Sequence, residues 1–233
     1  MPKKSGYHNR KTVICDKIRS LLISLTHYSN YNEGVASNIE YWIDHALHEG
    51  RITSNELVEG VSCVAWDDGG DFANVGRFFK EFRDSPHCSW RAEGFVCELC
   101  SHVLRWFAIA SAEDLWAPSR SSLVSRGGAP GFVRAASFVG YLIKYGLLAP
   151  DPSVRWHLIK PLINHHNDVE HKHSAEAVRA NALYQLFAAA GNSLLQGQEA
   201  PEDIQACFEI FETRSGWIEG FDSTRVKVQL RLS

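Results

Sequence analysis

No run of eighteen apolar residues occurs in this chain, so no segment has the length and hydrophobicity of a membrane-spanning helix. The start, MPKKSGYHNRK, carries the basic residues of a secretory leader but no apolar core behind them. The first apolar run, 13–25, is broken by Cys15, Asp16, Lys17, Arg19 and Ser20. Six cysteines without such a leader are expected to stay reduced, which places the chain in the cytoplasm, with the nucleus also open to it. Compact catalytic and nucleotide signatures are missing too: there is no Gly-x-Ser-x-Gly, no phosphate loop and no Gly-x-Gly-x-x-Gly. The carboxylates of DDGGD, 67–71, lack the spacing of a calcium loop and read as a turn. Strand-like alternation is confined to the tail, 223–233.

What is present is ordinary in bulk and uneven in detail. The 233 residues suffice for one sizeable core or two small ones, and 45% hydrophobic with 22% charged residues is usual for a globular chain. The net charge of −3 hides a segregation. Residues 30–119 hold six Lys/Arg against fifteen Asp/Glu, a balance of −9. Residues 120–179 hold eight basic and four acidic residues, a balance of +4, with five histidines. An acidic half beside a basic segment fits a protein-binding face next to an anion-binding one; chance segregation on a solvated surface fits as well.

Nearly every apolar segment is spaced as a helix. Val13, Ile14, Ile18, Leu21, Leu22 and Leu25 form one stripe, and Val35, Ile39, Trp42, Ile43, Ala46 and Leu47 a second, stopped by Gly50. Thr53 or Ser54 can cap a third helix, with Leu57, Val61 and Val64 on one face. Phe72, Val75, Phe78, Phe79 and Phe82 make a fourth, ended by Ser85-Pro86. The longest runs from about Trp90 to Ala112, with Phe95, Leu99, Val103, Trp106, Phe107 and Ala110 inward. A Ser-, Gly- and Pro-rich stretch, 111–131, reads as a long loop. Beyond it, Ala135, Phe138, Val139, Leu142 and Ile143 share a helical face ahead of Gly146, a C-cap glycine. Asp151 and Pro152 start another helix, which Pro161 should kink or end. Ser174 can cap the next, whose face is Val178, Leu183, Leu186 and Phe187 and whose stop is Gly191. Pro201 opens the last, with Ile204, Cys207, Phe208 and Phe211 inward.

The expectation is an all-α chain: a HEAT-like helical-repeat solenoid of about nine to ten antiparallel helices, paired at a period of roughly forty residues. It would comprise a flexible N-terminus at 1–10, one helical-repeat domain at 11–215 and an extended or disordered tail at 216–233. One residue breaks the pattern. Gly140 stands mid-helix beside the buried face, at a cost of about 1 kcal/mol against alanine. Either a second helix packs very close to it or the cost has no return.

The stretch RAASFVGYLIKYGLL, 134–148, resembles the signature helix of the middle domain of eukaryotic translation initiation factor 4G, Arg-x-x-x-Phe-Ile-Gly-Glu-Leu-Phe-Lys-Leu-x-Leu-Leu. Arg134, Phe138, Val139, Gly140, Leu142, Lys144, Leu147 and Leu148 match, while Tyr141 replaces the usual acid. Gly191-Asn-Ser-Leu194 stands where the family has Gly-Lys-x-Leu. The resemblance covers roughly 130–215 and is architectural before that. It implies a HEAT-repeat array in which the glycine lets helices approach closely. It also implies a non-enzymatic adaptor without cofactor that holds protein partners, such as a DEAD-box helicase or a translation factor, and sometimes RNA. The matched positions are packing positions and carry fold better than function.

Three groups are candidates for function. The basic segment, with Arg120, Arg126, Lys144, Arg155, Lys160 and Lys172, could face RNA phosphates or an acidic partner. Beside Arg120 and Arg126, Trp116 in the long loop could stack on a base, anchor a partner or tuck back onto the fold. The run 164–173 gathers His165, His166, Asp168, His171 and His173, which could ligate a metal in an all-helical hydrolase; a solvated polar turn explains it equally well. Cys97-Glu-Leu-Cys100 has knuckle spacing, but at i and i+3 within the longest apolar-periodic helix both thiols are expected to share one face as small core residues. A third possibility is a protein-only scaffold that shares the fold and binds no RNA.

Overall fold

The computed structural model describes residues 5–48, 52–66, 70–86, 90–113, 128–148, 152–163, 172–194, 207, 209–213 and 215–218. Among them the only regular structure is helical. The α-helices are α1 (Ser5–Thr26), α2 (Glu33–His48), α3 (Ser54–Ser62), α4 (Ala73–Asp84), α5 (Trp90–Glu113), α6 (Gly128–Lys144), α7 (Pro152–Ile163) and α8 (Lys172–Ala190). They gather into two compact units, Met1–Val103 and Leu104–Ser233, and the division falls within α5. None of the described helices is long and apolar enough to cross a membrane.

In the first unit α1 is the hub, packed by α2, α3 and α4. Its Ile18, Leu22 and Leu25 are buried with Ile39 and Ile43 of α2, Leu57 and Val61 of α3, and Val75, Phe78, Phe79 and Phe82 of α4. The lower part of the predicted α1 stripe is not core: Val13 is 61% exposed. The helix also reaches back to Ser5, into the stretch expected to be flexible, since no proline interrupts it after Pro2. The cap of α3 is as predicted. The Glu56 N–H donates to Thr53 Oγ1 (3.3 Å) and the Thr53 N–H donates to Glu56 Oε2 (2.9 Å), a reciprocal capping box. Ser85, before Pro86, takes the extended conformation (ψ 131°) that ends α4.

The C-terminal end of α1 is closed by residues far away in sequence. The Gly70 N–H donates to Thr26 Oγ1 (2.8 Å), and Asn74 Nδ2 donates to the carbonyls of Leu25 (3.4 Å) and Tyr28 (2.8 Å). The Asn74 amide thus supplies a donor to the Leu25 carbonyl, one of those that a helix end leaves open. A Cβ on Gly70 would lie 2.4 Å from the Thr26 carbonyl oxygen, so the loop can approach only as glycine. Asn74→Asp removes both donations and sets a negative charge at the negative end of α1. It should cost about 2 kcal/mol, read as a lower urea midpoint at unchanged slope.

In the second unit α8 is central, with α6, α7 and the turn Gly191–Leu194 against it. Ala180, Ala182, Leu183, Tyr184, Leu186, Phe187, Ala188, Ala189 and Ala190 are all buried, and a helix apolar on nearly every side belongs inside. The question of Gly140 is answered here. A Cβ at Gly140 would stand 2.7 Å from Ala189 Cβ, 2.7 Å from the Leu186 carbonyl oxygen and 3.1 Å from the Ala190 nitrogen. The backbones of α6 and α8 meet at this glycine. α6 ends as predicted: Gly146 is left-handed (φ 65°), its N–H donates to Ile143 O (3.0 Å), and the Leu147 N–H donates to Leu142 O (2.9 Å). Gly191 likewise terminates α8 at φ 56°.

Further boundaries differ from expectation. α5 runs to Glu113 and α6 begins at Gly128, so 111–113 and 128–131 belong to helices and not to the long loop. α7 includes Pro161 and ends two residues later at Ile163, so the proline stands in its last turn. α8 begins at Lys172, so Ser174 lies in its first turn and is not the cap. Asp151 and the residues 201–206, 208 and 219–233 lie outside the described set, while Cys207 and Phe211 are buried as expected of the last helix, and Ile210 is buried as well.

Candidate functional site

Of the residues predicted to carry function, Lys144 and Lys160 are exposed at the ends of α6 and α7. Lys144 Nζ sits 5.5 Å from the Tyr141 ring centroid and 5.9 Å from that of Tyr145, and the two rings stack at 6.5 Å. Tyr141, where the resemblance expects an acid, thus forms part of a cation–π seat for that lysine. Arg155, Lys172 and His173 fall on α7 and α8, with side chains outside the description. Trp116, Arg120, Arg126, His165, His166, Asp168 and His171 lie outside the described residues. Among those described, no three His, Cys, Asp or Glu side chains gather closely enough to hold a metal ion.

The two cysteines of the CxxC do not share an environment, contrary to expectation. Cys100 is buried and Cys97 is exposed. A 300° step separates i from i+3, so a pair at the edge of a buried stripe splits between core and solvent. Burial, with a smaller contribution from Cys97, pushes the Cys100 thiol up to about 12. Only the thiolate reacts. Maleimide at neutral pH should therefore label Cys97 in the native protein and reach Cys100 only on unfolding; mass spectrometry after proteolysis reads both sites.

The arrangement with most to offer a ligand was not singled out in the sequence. An open cleft of about 500 Å³ lies along α2, lined by Ser37, Glu40, Tyr41, Asp44, His45 and His48. The opposite side of α2, Ile39, Ile43, Ala46 and Leu47, is buried, so the helix cannot rotate without exposing its core face. Its start is fixed as well. The Val35 N–H donates to Asn32 Oδ1 (3.1 Å), which makes Asn32 the N-cap. Tyr31, just before it, lies under the Arg77 guanidinium of α4 at 4.3 Å from the ring centroid, and Arg77 Nε donates to Glu81 Oε1 at 2.7 Å. Burial, and then the Glu81 carboxylate, raise the Tyr31 hydroxyl well above its ordinary range, so it stays protonated.

On this anchored helix two rows of side chains run side by side. Ser37, Tyr41 and His45 are spaced i, i+4, i+8, and Glu40, Asp44 and His48 form the adjoining row. Tyr41 stacks on His45 with ring centroids 5.8 Å apart and planes 6° from parallel. Trp42 meets both edge-on, at 5.6 and 5.9 Å. Trp42 was expected in the core; it is half-buried, and so is Trp106, because each indole lies at the margin of its stripe. Partial burial raises the Asp44 carboxyl, and His48 one turn on opposes that rise. The spacing of Tyr41 and His45 against Glu40 and Asp44 on the polar side was a readable signal, but polar faces are usually solvated and nothing in the spacing sets this one apart.

The fold and site thus define an all-helical protein with an anchored helix that presents an aromatic row beside an acidic one. No protein-family model matches the sequence, and no curated protein or solved structure is significantly similar to it.

Proposed function

We propose that this chain is a non-enzymatic helical-repeat adaptor that holds a protein partner, in translation or mRNA metabolism. The observation that carries the reading is the α2 face: Tyr41 is 59% exposed on a helix whose other side is fully committed to the core. Tyrosine is among the residues enriched at the anchoring centres of protein interfaces. The acidic balance of residues 30–119 suits a basic partner surface. The resemblance of 134–148 to the middle domain of translation initiation factor 4G supports the HEAT-like array and a partner of the helicase or translation-factor kind. The close approach at Gly140 is consistent with that signature. The exposed Lys144 and Lys160 are the described part of a basic segment that would give RNA a secondary, salt-sensitive contact.

The test is affinity capture from native cell extract with and without nuclease. A stoichiometric protein partner retained after nuclease is the expected result. Loss of all partners on nuclease would reassign the chain to direct RNA binding. Capture of nothing, with stoichiometric metal in the purified protein, would replace the adaptor by a metal-dependent hydrolase.

A further inference from the structure

Resting on the adaptor reading, we propose that the α2 face recognises arginine: a guanidinium of the partner lies flat on Tyr41 while the carboxylates of Glu40 and Asp44 accept its N–H groups. The argument is one of shape and charge together. Tyr41 and Asp44 are i, i+3 neighbours on the helix surface, so a planar cation resting on the ring reaches the carboxylate row at its edge. His45 stacks on the Tyr41 ring and Trp42 meets its edge, so the ring is supported on one side before the partner arrives. The open surface depression along α2 leaves this face accessible to an extended side chain.

Other occupants fit less well. Two carboxylates repel a phosphate or an acidic peptide. A purely apolar segment would bury both carboxylates without partners, which is costly. Lysine brings the charge but neither the planar face for Tyr41 nor the fork of donors for two carboxylates, and its ammonium holds its water more tightly. Arginine alone satisfies both rows at once.

The experiment is fluorescence anisotropy of the full chain at physiological salt with two labelled peptides of equal charge, an Arg-Gly repeat and the matching Lys-Gly repeat. The arginine peptide should bind at least about fivefold tighter than the lysine one. Tyr41→Ala should weaken it roughly three- to tenfold, and Glu40→Gln with Asp44→Asn at least as much, while Glu209→Gln with Glu212→Gln should leave it unchanged. Tyr41 is largely exposed, so its variant keeps the fold, as circular dichroism would verify. Equal affinity for the two peptides, or indifference to Tyr41, overturns the proposal. So does self-association that the Glu40→Gln, Asp44→Asn variant abolishes, which would put a second copy of the chain on the α2 face. A nuclease-resistant partner whose capture is weakened by Tyr41→Ala but that is held equally by wild type and the Glu40→Gln, Asp44→Asn variant overturns this inference and leaves the adaptor reading standing. Absence of both peptide binding and any captured partner overturns the two together.

Discussion

Gly140→Leu lowers stability by about 3 kcal/mol, and even Gly140→Ala lowers it, although alanine is the better helix former. Two effects compete at this position. Alanine in place of glycine gains about 1 kcal/mol in helix propensity, since glycine loses more backbone freedom on folding. Against that stands a Cβ placed 2.7 Å from the Leu186 carbonyl oxygen and 2.7 Å from Ala189 Cβ. One of those atoms belongs to the α8 backbone, so no side-chain rotation relieves the clash and the two helices must separate. Separation loosens the packing of Ala188, Ala189 and Ala190, which are small enough to allow the approach in the first place. Overpacking of this kind costs about 1–3 kcal/mol and exceeds the propensity gain. Urea denaturation decides the sign. A midpoint for Gly140→Ala above that of wild type would mean that propensity wins and that α6 and α8 do not meet at this residue.

Phe187→Ala lowers stability by about 3–5 kcal/mol, a large part of what a domain possesses. Phe187 is fully buried on α8 and meets Phe211 edge-on, with ring centroids 5.6 Å apart at 82°. Phe211 also meets Tyr184, at 6.1 Å and 86°, so one ring from the C-terminal segment rests on two from α8. Removing the phenyl group loses its transfer energy and leaves a cavity between helices that cannot collapse onto it. Phe187→Leu keeps most of the volume and should cost about 1.5 kcal/mol or less. A loss below about 1 kcal/mol for Phe187→Ala would show that this cluster is not core.

Where one element's own periodicity decides the structure, the sequence was easy to read. Phe72, Val75, Phe78, Phe79 and Phe82 are all buried because their spacing leaves a helix one apolar face. Thr53 with Glu56, Ser85 before Pro86, and Gly146 were legible because caps and stops are local chemistry. Gly140 was legible only as a question: its cost is local, and what offsets it lies on α8, some fifty residues away. The closing of α1 by Gly70 and Asn74 was hidden for the same reason, since Thr26 and Gly70 meet across 44 residues. The start of α8 was misplaced because a helix buried almost all round has no polar face to frame its ends. Cys97 and Cys100 were assigned one environment because three residues nearly, but not fully, complete a turn.

The α2 face was missed for a different reason. Tyr41, Asp44, His45 and His48 lie on the side of the helix that periodicity treats as solvent, and only the structure shows Tyr41 stacked on His45 beside the acidic row. Trp116 and the basic loop drew attention instead because they stand out in composition. The exposed Lys144 seated on Tyr141 and Tyr145 keeps part of that reading in play as a secondary contact.

The most direct test of the adaptor account is a calorimetric titration of the purified chain with its purified, nuclease-treated partner, using wild type and Tyr41→Ala. The account predicts a direct one-to-one complex with a micromolar or tighter Kd, formed without RNA and weakened roughly three- to tenfold by the substitution. Heat of binding that appears only when RNA is added back, or none at all, would contradict it.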